Sequence, residues 1–366
     1  MMVKKRVLFA GLFFLVTTVR AQYVSLNTSE LNALRKLVKT DEQVSQFYKR
    51  IETKADESLK DQPAPIALIT SQGLLMGDPN KMASLQALQD VDKIFCLALR
   101  ASIGGEARYL KKCLSFLLAW ANANQPDGNP INETKLEDMV FAYDLIRSKI
   151  SSKDRIQIDN WLSRMREKEI QHESGRNGKG TSVNNWNTHR VKMMIMINYT
   201  LQDGKYDQHV EEQLVKQIGH NLNADGSTYD FHERDALNYH IFSIEPFLKA
   251  ITVMKRATGK DYFQVTSSSG GSIKKGVDFL VPYMEGVKTH KEFLNSKVEF
   301  DRKRASNNEK GFQINDFIPA RGIPALSPAV YFDRSYLDVI DKAKTGTDAY
   351  FDWQILLARL RQQKGS

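Results

Sequence analysis

The chain has 366 residues, an ordinary hydrophobic share of 42% and a formal net charge of +9. That length suits one large domain or two small ones, and no Pro/Gly/Ser linker separates two self-sufficient halves, so a single domain is expected. No dense Lys/Arg stripe points to nucleic acid, and two cysteines without His/Cys spacing of the zinc type signal no metal site.

Lys4-Lys5-Arg6, an apolar stretch from Val7 to Val16, and Val19-Arg20-Ala21 before Gln22 form the three parts of a secretory signal peptide, with cleavage expected after Ala21. The apolar stretch is too short to span a bilayer and no later one reaches the required length, so no membrane insertion is expected. No cysteine follows the cleavage point to carry a lipid. Residues 22–366 are therefore expected as a periplasmic or secreted domain. Loss of Lys4, Lys5, Arg6 and Arg20 lowers the formal charge from +9 to +5, a moderate excess that suits an anionic partner.

Helical periodicity dominates and strand-type alternation is scarce. Ser29 is expected to cap a long helix running to about Leu59. Gln62 to Asn80, with Pro63, Pro65, Gly73, Gly77 and Pro79, reads as a long irregular loop, a feature that usually serves as a lid or binding loop. Paired helices follow, over Lys81–Ile103 with Glu106–Asn124, then Lys135–Lys149 with Ser152–His172. Tyr109, Cys113, Phe116, Leu117 and Trp120 make one apolar stripe, which places Trp120 in the core. Cys96 and Cys113 occupy apolar positions on adjacent helices and read either as two buried thiols or as one disulfide. Tyr143-Asp144 reads as a helix–helix packing point.

Gly175-Arg-Asn-Gly-Lys-Gly180 is a flexible basic loop. Helices are expected over Val183–Leu201, Lys205–Leu222, Ala236–Thr258 and at least the second half of Tyr262–Met284. Met193 to Met196 read as core. Residues 285–345 are irregular and charge-rich, and a last helix over Asp348–Gln362 turns Trp353, Leu356, Leu357 and Leu360 inward. About eleven or twelve sequential helices joined by short turns describe stacked helical hairpins. With no fixed-period repeat and one loop-lined face, the expected fold is all-α: an α/α toroid, that is, an incomplete ring of helical hairpins. A monomer is expected.

The stretch Thr181–Arg190 packs three asparagines, a tryptophan, a histidine and an arginine into Asn184–Arg190, directly before the largely apolar Val191–Ile197. On a helix this cluster occupies the first turns, where backbone N–H groups are unpaired and anions are favoured. Asn185 and His189 would share one face, and Trp186 and Arg190 another. A plain cap needs one Asn, not three with a His and an Arg, so the cluster reads as functional. A second candidate stretch lies some fifty residues on, from Asp225-Gly-Ser227 to Glu233–Phe242.

Three segments together resemble the alginate lyase superfamily of polysaccharide lyases. They are Tyr109–Ala121 continuing through Pro130-Ile131 into Val140–Asp144, then Asn184–His189, then Asp225-Gly-Ser227 with Arg234 and Ala236–Phe242. The resemblance covers roughly residues 80 to 260. It implies an α/α toroid that cleaves a uronate polymer by β-elimination without a cofactor. That chemistry must neutralise the uronate carboxylate, remove the C5 proton and protonate the departing O4. By resemblance, Asn185 neutralises the carboxylate. Tyr239 protonates O4 and on the syn route also removes the proton. Arg234 holds the carboxylate and lowers the tyrosine's pKa, and His189 neutralises or acts as base on the anti route. Asn184, Trp186, Arg190, His232 and His240 are the candidate substrate contacts.

Two departures stand out. Trp186 follows the Asn pair where the better-known members carry His. Arg234 lies five residues before Tyr239, so on an unbroken helix the two would diverge by about 140° and His232 would align with Tyr239 instead. Arg234 must then precede the helix, or His232 is the partner. His240 would face away from Tyr239, while His172, His209, His220 and His290 read as surface or packing residues. A glycoside hydrolase on the same architecture would need two carboxylates about 5–10 Å apart, with Asp225, Asp230, Glu233 and Asp235 as candidates. A non-catalytic uronan-binding protein would need aromatic platforms alone.

Overall fold

In the computed structural model, which describes residues 22–176 and 180–343 together with Leu356 and Leu360, helices form where the apolar stripe is sustained and break where a side chain can cap. The long first helix is two. Asn27, not Ser29, caps α1 (Thr28–Thr40), with Glu30 closing a capping box. Asp41 then ends it and restarts the chain as α2 (Glu42–Ser58) by accepting from the Val44 N–H. The helix expected over Lys81–Ile103 is likewise split at Leu88, into α3 (Pro79–Ala87), capped by Asp78, and α4 (Gln89–Gly104).

Five helical hairpins succeed one another. They pair α4 with α5 (Ala107–Ala123); then, after the short α6 (Pro130–Glu133), α7 (Glu137–Ile146) with α8 (Ser152–Gln171); and α9 (Asn185–Leu201) with α10 (Asp207–Asn221). After the short α11 (Tyr229–Arg234), α12 (Leu237–Thr258) pairs with α13 (Ile273–Met284). After α14 (Glu299–Ser306), α15 (Ile323–Ala329) pairs with α16 (Tyr336–Ala343). The first helices of these pairs, α4, α7, α9, α12 and α15, pack in sequence as an inner layer; α5, α10, α13 and α16 pack on their own partners, and α8 packs against α5 and α9. Gly105 makes the first hairpin turn in the left-handed region, at φ 79°, where a Cβ would be strained. Among the described residues there is no strand, only two isolated bridges.

α9 is the central helix. Every residue from Asn187 to Leu201 is buried, so it carries no solvent face. Several of its polar side chains are paired within the core: Asn187 with Gln217, Arg190 with Asn187 and Gln213, Lys192 with Glu137, and Asn198 with Arg166 and Asp207. The N-terminal arm crosses the inner layer. Asp144 accepts from the Ser25 N–H and hydroxyl, and Arg256 binds Glu30 and the Gln22 and Ser25 carbonyls.

Tyr109, Cys113, Phe116, Leu117 and Trp120 are fully buried as one stripe, and the Trp120 indole N–H donates to Asp90. Cys96 and Cys113 are free buried thiols. The expected leader and most of the helix expected over Asp348–Gln362 lie outside the described residues, as do positions 177–179 of the basic loop. Leu356 and Leu360 are buried, as expected. Among the described residues, no helix is long and apolar enough to cross a membrane.

Candidate active site

The two candidate stretches meet in one cleft of about 420 Å³. Asn185 and Trp186 reach it from the start of α9, Arg234 from the end of α11, and Asn238, Tyr239 and Phe242 from the start of α12. Ser71–Leu74 of the long loop line another part of its wall, with Phe293, Phe300, Arg304, Lys310 and Phe312 from the charge-rich region.

The three asparagines of the cluster have three different tasks. Asn184 is the α9 N-cap, accepting from the Trp186 N–H. Asn187 is a core bridge. Asn185, only 2% exposed, faces the cleft, and Asp230 fixes its amide by accepting from its Nδ2 at 2.6 Å and from its backbone N–H. A carboxylate only accepts, so this contact identifies the nitrogen end of the amide and leaves its second N–H available. Asp230 is buried beneath, held also by Asn221 and Ser243; burial raises its pKa while these donors oppose the shift.

Arg234 and Tyr239 come together because the helix between them breaks. α11 ends at Arg234, Asp235 turns into the left-handed region at φ 46°, and Ala236 is extended before α12 begins. The divergence calculated for an unbroken helix therefore does not arise. The Arg234 guanidinium lies over the Tyr239 ring, 3.9 Å from its centre, with buried Asp301 as its ion-pair partner. The Tyr239 hydroxyl has no hydrogen-bond partner among the described residues. Burial pushes its pKa above the ordinary tyrosine value; Arg234 and Arg304 pull it down, and Asp301 pushes it up.

The segment after α13 clamps the break. Phe293 N–H and His290 Nε2 donate to the Asp235 carbonyl, and the Asn295 backbone and side-chain N–H groups donate to the Asp235 carboxylate. Lys297 N–H donates to the Glu233 carbonyl, and Glu292 accepts from the Asn238 N–H at the start of α12.

Other candidates lie elsewhere. His232 is exposed and bonds Ser227, so it is not the partner of Tyr239. His240 is buried, its Nε2 bonded to the Gly276 carbonyl, and burial drops its pKa to about 4. Arg190 is consumed in the core by Asn187, Gln213 and the Glu169 carbonyl. None of these three lines the cleft. His189 shares the Asn185 face as expected but sits behind the cleft wall. Its ring packs 4.2 Å from that of Phe242, its Nδ1 meets Thr134, and burial with nearby Lys192 holds its pKa well below the ordinary value.

The wall carries Lys81, Lys135, Arg234, Arg304 and Lys310 and, among the described residues, no Asp or Glu. None of Asp225, Asp230, Glu233 and Asp235 lines it, so among the described residues the cleft lacks the carboxylate pair of a glycoside hydrolase.

Residues 38–290 match the alginate lyase family. The chain belongs to that family of polysaccharide lyases. No curated protein matches it in sequence. Its fold is similar to that of an alginate lyase from Bacteroides ovatus (TM-score 0.67, 15% identity, 90% of this chain and 97% of that one). It is also similar to a histidine-to-alanine variant of alginate lyase A1-III complexed with tetrasaccharide (TM-score 0.61, 17% identity, 93% and 94%). A third is alginate lyase A1-III from Sphingomonas species A1 (TM-score 0.55, 16% identity, 74% and 80%). The fold is the α/α toroid of these enzymes, in one domain.

Sequence reasoning missed the cationic and aromatic wall of this alginate lyase family member. Phe293, Phe300, Arg304, Lys310 and Phe312 come from the irregular region 285–345, marked only by its charge, while Lys81 and Lys135 stand at the first positions of expected helices, where nothing marks them as cleft residues. Asn132 pins the 62–80 loop by accepting from the Ser71 and Gln72 N–H groups, and Glu309 holds its far end through the Met76 N–H.

Proposed function

We propose that this polysaccharide lyase cleaves a β-1,4-linked polyuronate, alginate first, by β-elimination, with Asn185, Arg234 and Tyr239 as the working residues. One observation carries the reading: an amide donor, a guanidinium and an unpaired phenol from two distant segments converge in a cleft of cationic and aromatic side chains to which the described residues contribute no carboxylate.

The free amide N–H of Asn185 and the Arg234 charge neutralise the uronate carboxylate, which makes C5–H acidic and stabilises the enolate-like charge that develops. Tyr239, as phenolate, takes the C5 proton. The C4–O4 bond breaks as the C4–C5 double bond forms, and the same phenol then returns the proton to O4. This single-residue syn route is favoured over a histidine base because His189 is behind Phe242 while the Tyr239 hydroxyl is unpaired. In this reading His189 packs beneath the site as support. Trp186 stacks on His172 and offers its indole as a sugar platform. No step requires a cofactor, and the enzyme acts as a monomer outside the cytoplasm after removal of residues 1–21.

Incubation of the purified protein with a panel of polyuronates tests this. An ultraviolet absorbance rise from unsaturated uronate, with products of matching mass, is expected. Reducing ends without the double bond would indicate a hydrolase, and binding without turnover would indicate a lectin-like role.

A further inference from the structure

The cations of the cleft differ in their counter-charges. Arg234 is paired with Asp301, and Lys81 and Arg304 share Glu309. Lys310 is exposed, so its unpaired charge is solvated. Lys135 is different. It stands on the turn between α6 and α7, is largely withdrawn from water, and has no hydrogen bond or ion pair among the described residues. Burial and the cations Lys81, Arg304 and Lys192 all lower its pKa, and no carboxylate opposes them. An uncompensated ammonium held among like charges is a cost to the fold, and an anionic ligand is what removes that cost.

On the basis of the lyase reading above, we propose that Lys135, flanked by Lys81 and Arg304, forms a second carboxylate-binding subsite in the cleft. It takes the uronate next to the one being cleaved, so the enzyme requires two adjacent charged sugars. Asn185, Arg234 and Tyr239 engage the reacting carboxylate, and Lys135 supplies binding without touching the proton-transfer step. Its contribution appears in KM, and less in kcat.

The test compares wild type, Lys135→Met and Lys135→Arg on sodium alginate, and measures tetrasaccharide binding by calorimetry in a Tyr239→Phe background with and without Lys135→Met. Lys135→Met is expected to raise KM and the dissociation constant about tenfold, with kcat changing less. Lys135→Arg should restore affinity. Wild-type affinity should also fall as pH rises through the depressed lysine pKa, because the cation is present only below it. The Arg variant should lose that dependence because guanidinium stays charged. Lys135→Met should melt no lower than wild type, since it removes a charge without a partner.

Unchanged KM and binding in Lys135→Met, or a fall in kcat alone, overturns the subsite while leaving the lyase reading intact. Tetrasaccharide binding that depends on Lys135 without any turnover by wild type supports the subsite and overturns the lyase reading. Neither binding nor turnover of any uronate overturns both.

Discussion

Arg234 stacks its guanidinium on the ring of Tyr239, 3.9 Å from the ring centre, while its charge is anchored to Asp301 on the other side. The cation favours phenolate and opposes the burial that disfavours it. Arg234→Ala should therefore lower kcat by about 10²–10³-fold. It should also move the rising limb of the pH–rate profile to higher pH, because the tyrosine pKa climbs once the cation is gone. The change leaves buried Asp301 unpaired, so thermal stability should fall as well. The double variant Arg234→Ala/Asp301→Ala should recover stability without recovering rate. A limb that stays in place would remove Arg234 from any role in tuning Tyr239.

Tyr239 and His189 make opposite predictions. If Tyr239 makes both proton transfers as proposed, Tyr239→Phe should cost about 10²–10⁴-fold in kcat with an unchanged melting temperature. In wild type the rate should climb with pH through the alkaline range, since a phenol above its ordinary value near 10 is mostly protonated at neutral pH. His189→Gln should retain substantial activity. Absorbance kinetics on a polyuronate decide the matter: loss in His189→Gln as deep as in Tyr239→Phe would restore the histidine as base.

Much of this was legible in the sequence where periodicity carries the signal. The Tyr109–Trp120 stripe, the hairpin order and the buried Val191–Ile197 run follow from apolar spacing on a helix, and the structure reproduces them. The cluster at Asn184–Arg190 was legible as unusual, but the division of labour within it was not. Whether Arg190 meets solvent or Gln213 depends on α10, which no local pattern reveals. The pairing of Arg234 with Tyr239 was legible only as a choice, because it turns on one left-handed residue, Asp235, stabilised by a segment more than fifty residues away. Lys135 and the phenylalanine wall carried no signal, since their convergence is purely tertiary.

Asp235 should accordingly behave as a positioning residue. Its carboxylate accepts twice from Asn295 and its carbonyl from Phe293 and His290. Asp235→Gly keeps the left-handed turn at little steric cost but deletes the side-chain bonds. A stability loss of about 1–2 kcal/mol is expected. The kcat loss should be larger than this predicts from unfolding alone, because the Arg234–Tyr239 stack loosens. Asp235→Ala should be worse in stability, as a Cβ without a local hydrogen bond disfavours φ 46°. Denaturant melts together with kcat and KM separate these effects. Equal kcat in wild type and Asp235→Gly would mean that the clamp does not position the site.

Glu292 ties the same clamp to pH. It is 1% exposed and accepts from the Asn238 N–H at the start of α12, while its Oε1 is buried without a partner; burial raises its pKa to about 7. An unfolded glutamate titrates near 4.3, so the fold binds this proton more tightly than the unfolded chain does. Its contribution to stability is then complete below about pH 4 and is lost as pH rises to about 7, a change on the order of 3 kcal/mol. Glu292→Gln keeps an acceptor for the Asn238 N–H and has no carboxylate to ionise. Its melting temperature should be flatter than that of wild type between pH 5 and pH 8 and higher at pH 8. If the variant instead melts below wild type at pH 8 by as much as at pH 5, the ionised carboxylate is stabilised there by the N-terminus of α12, and burial is not what governs this group.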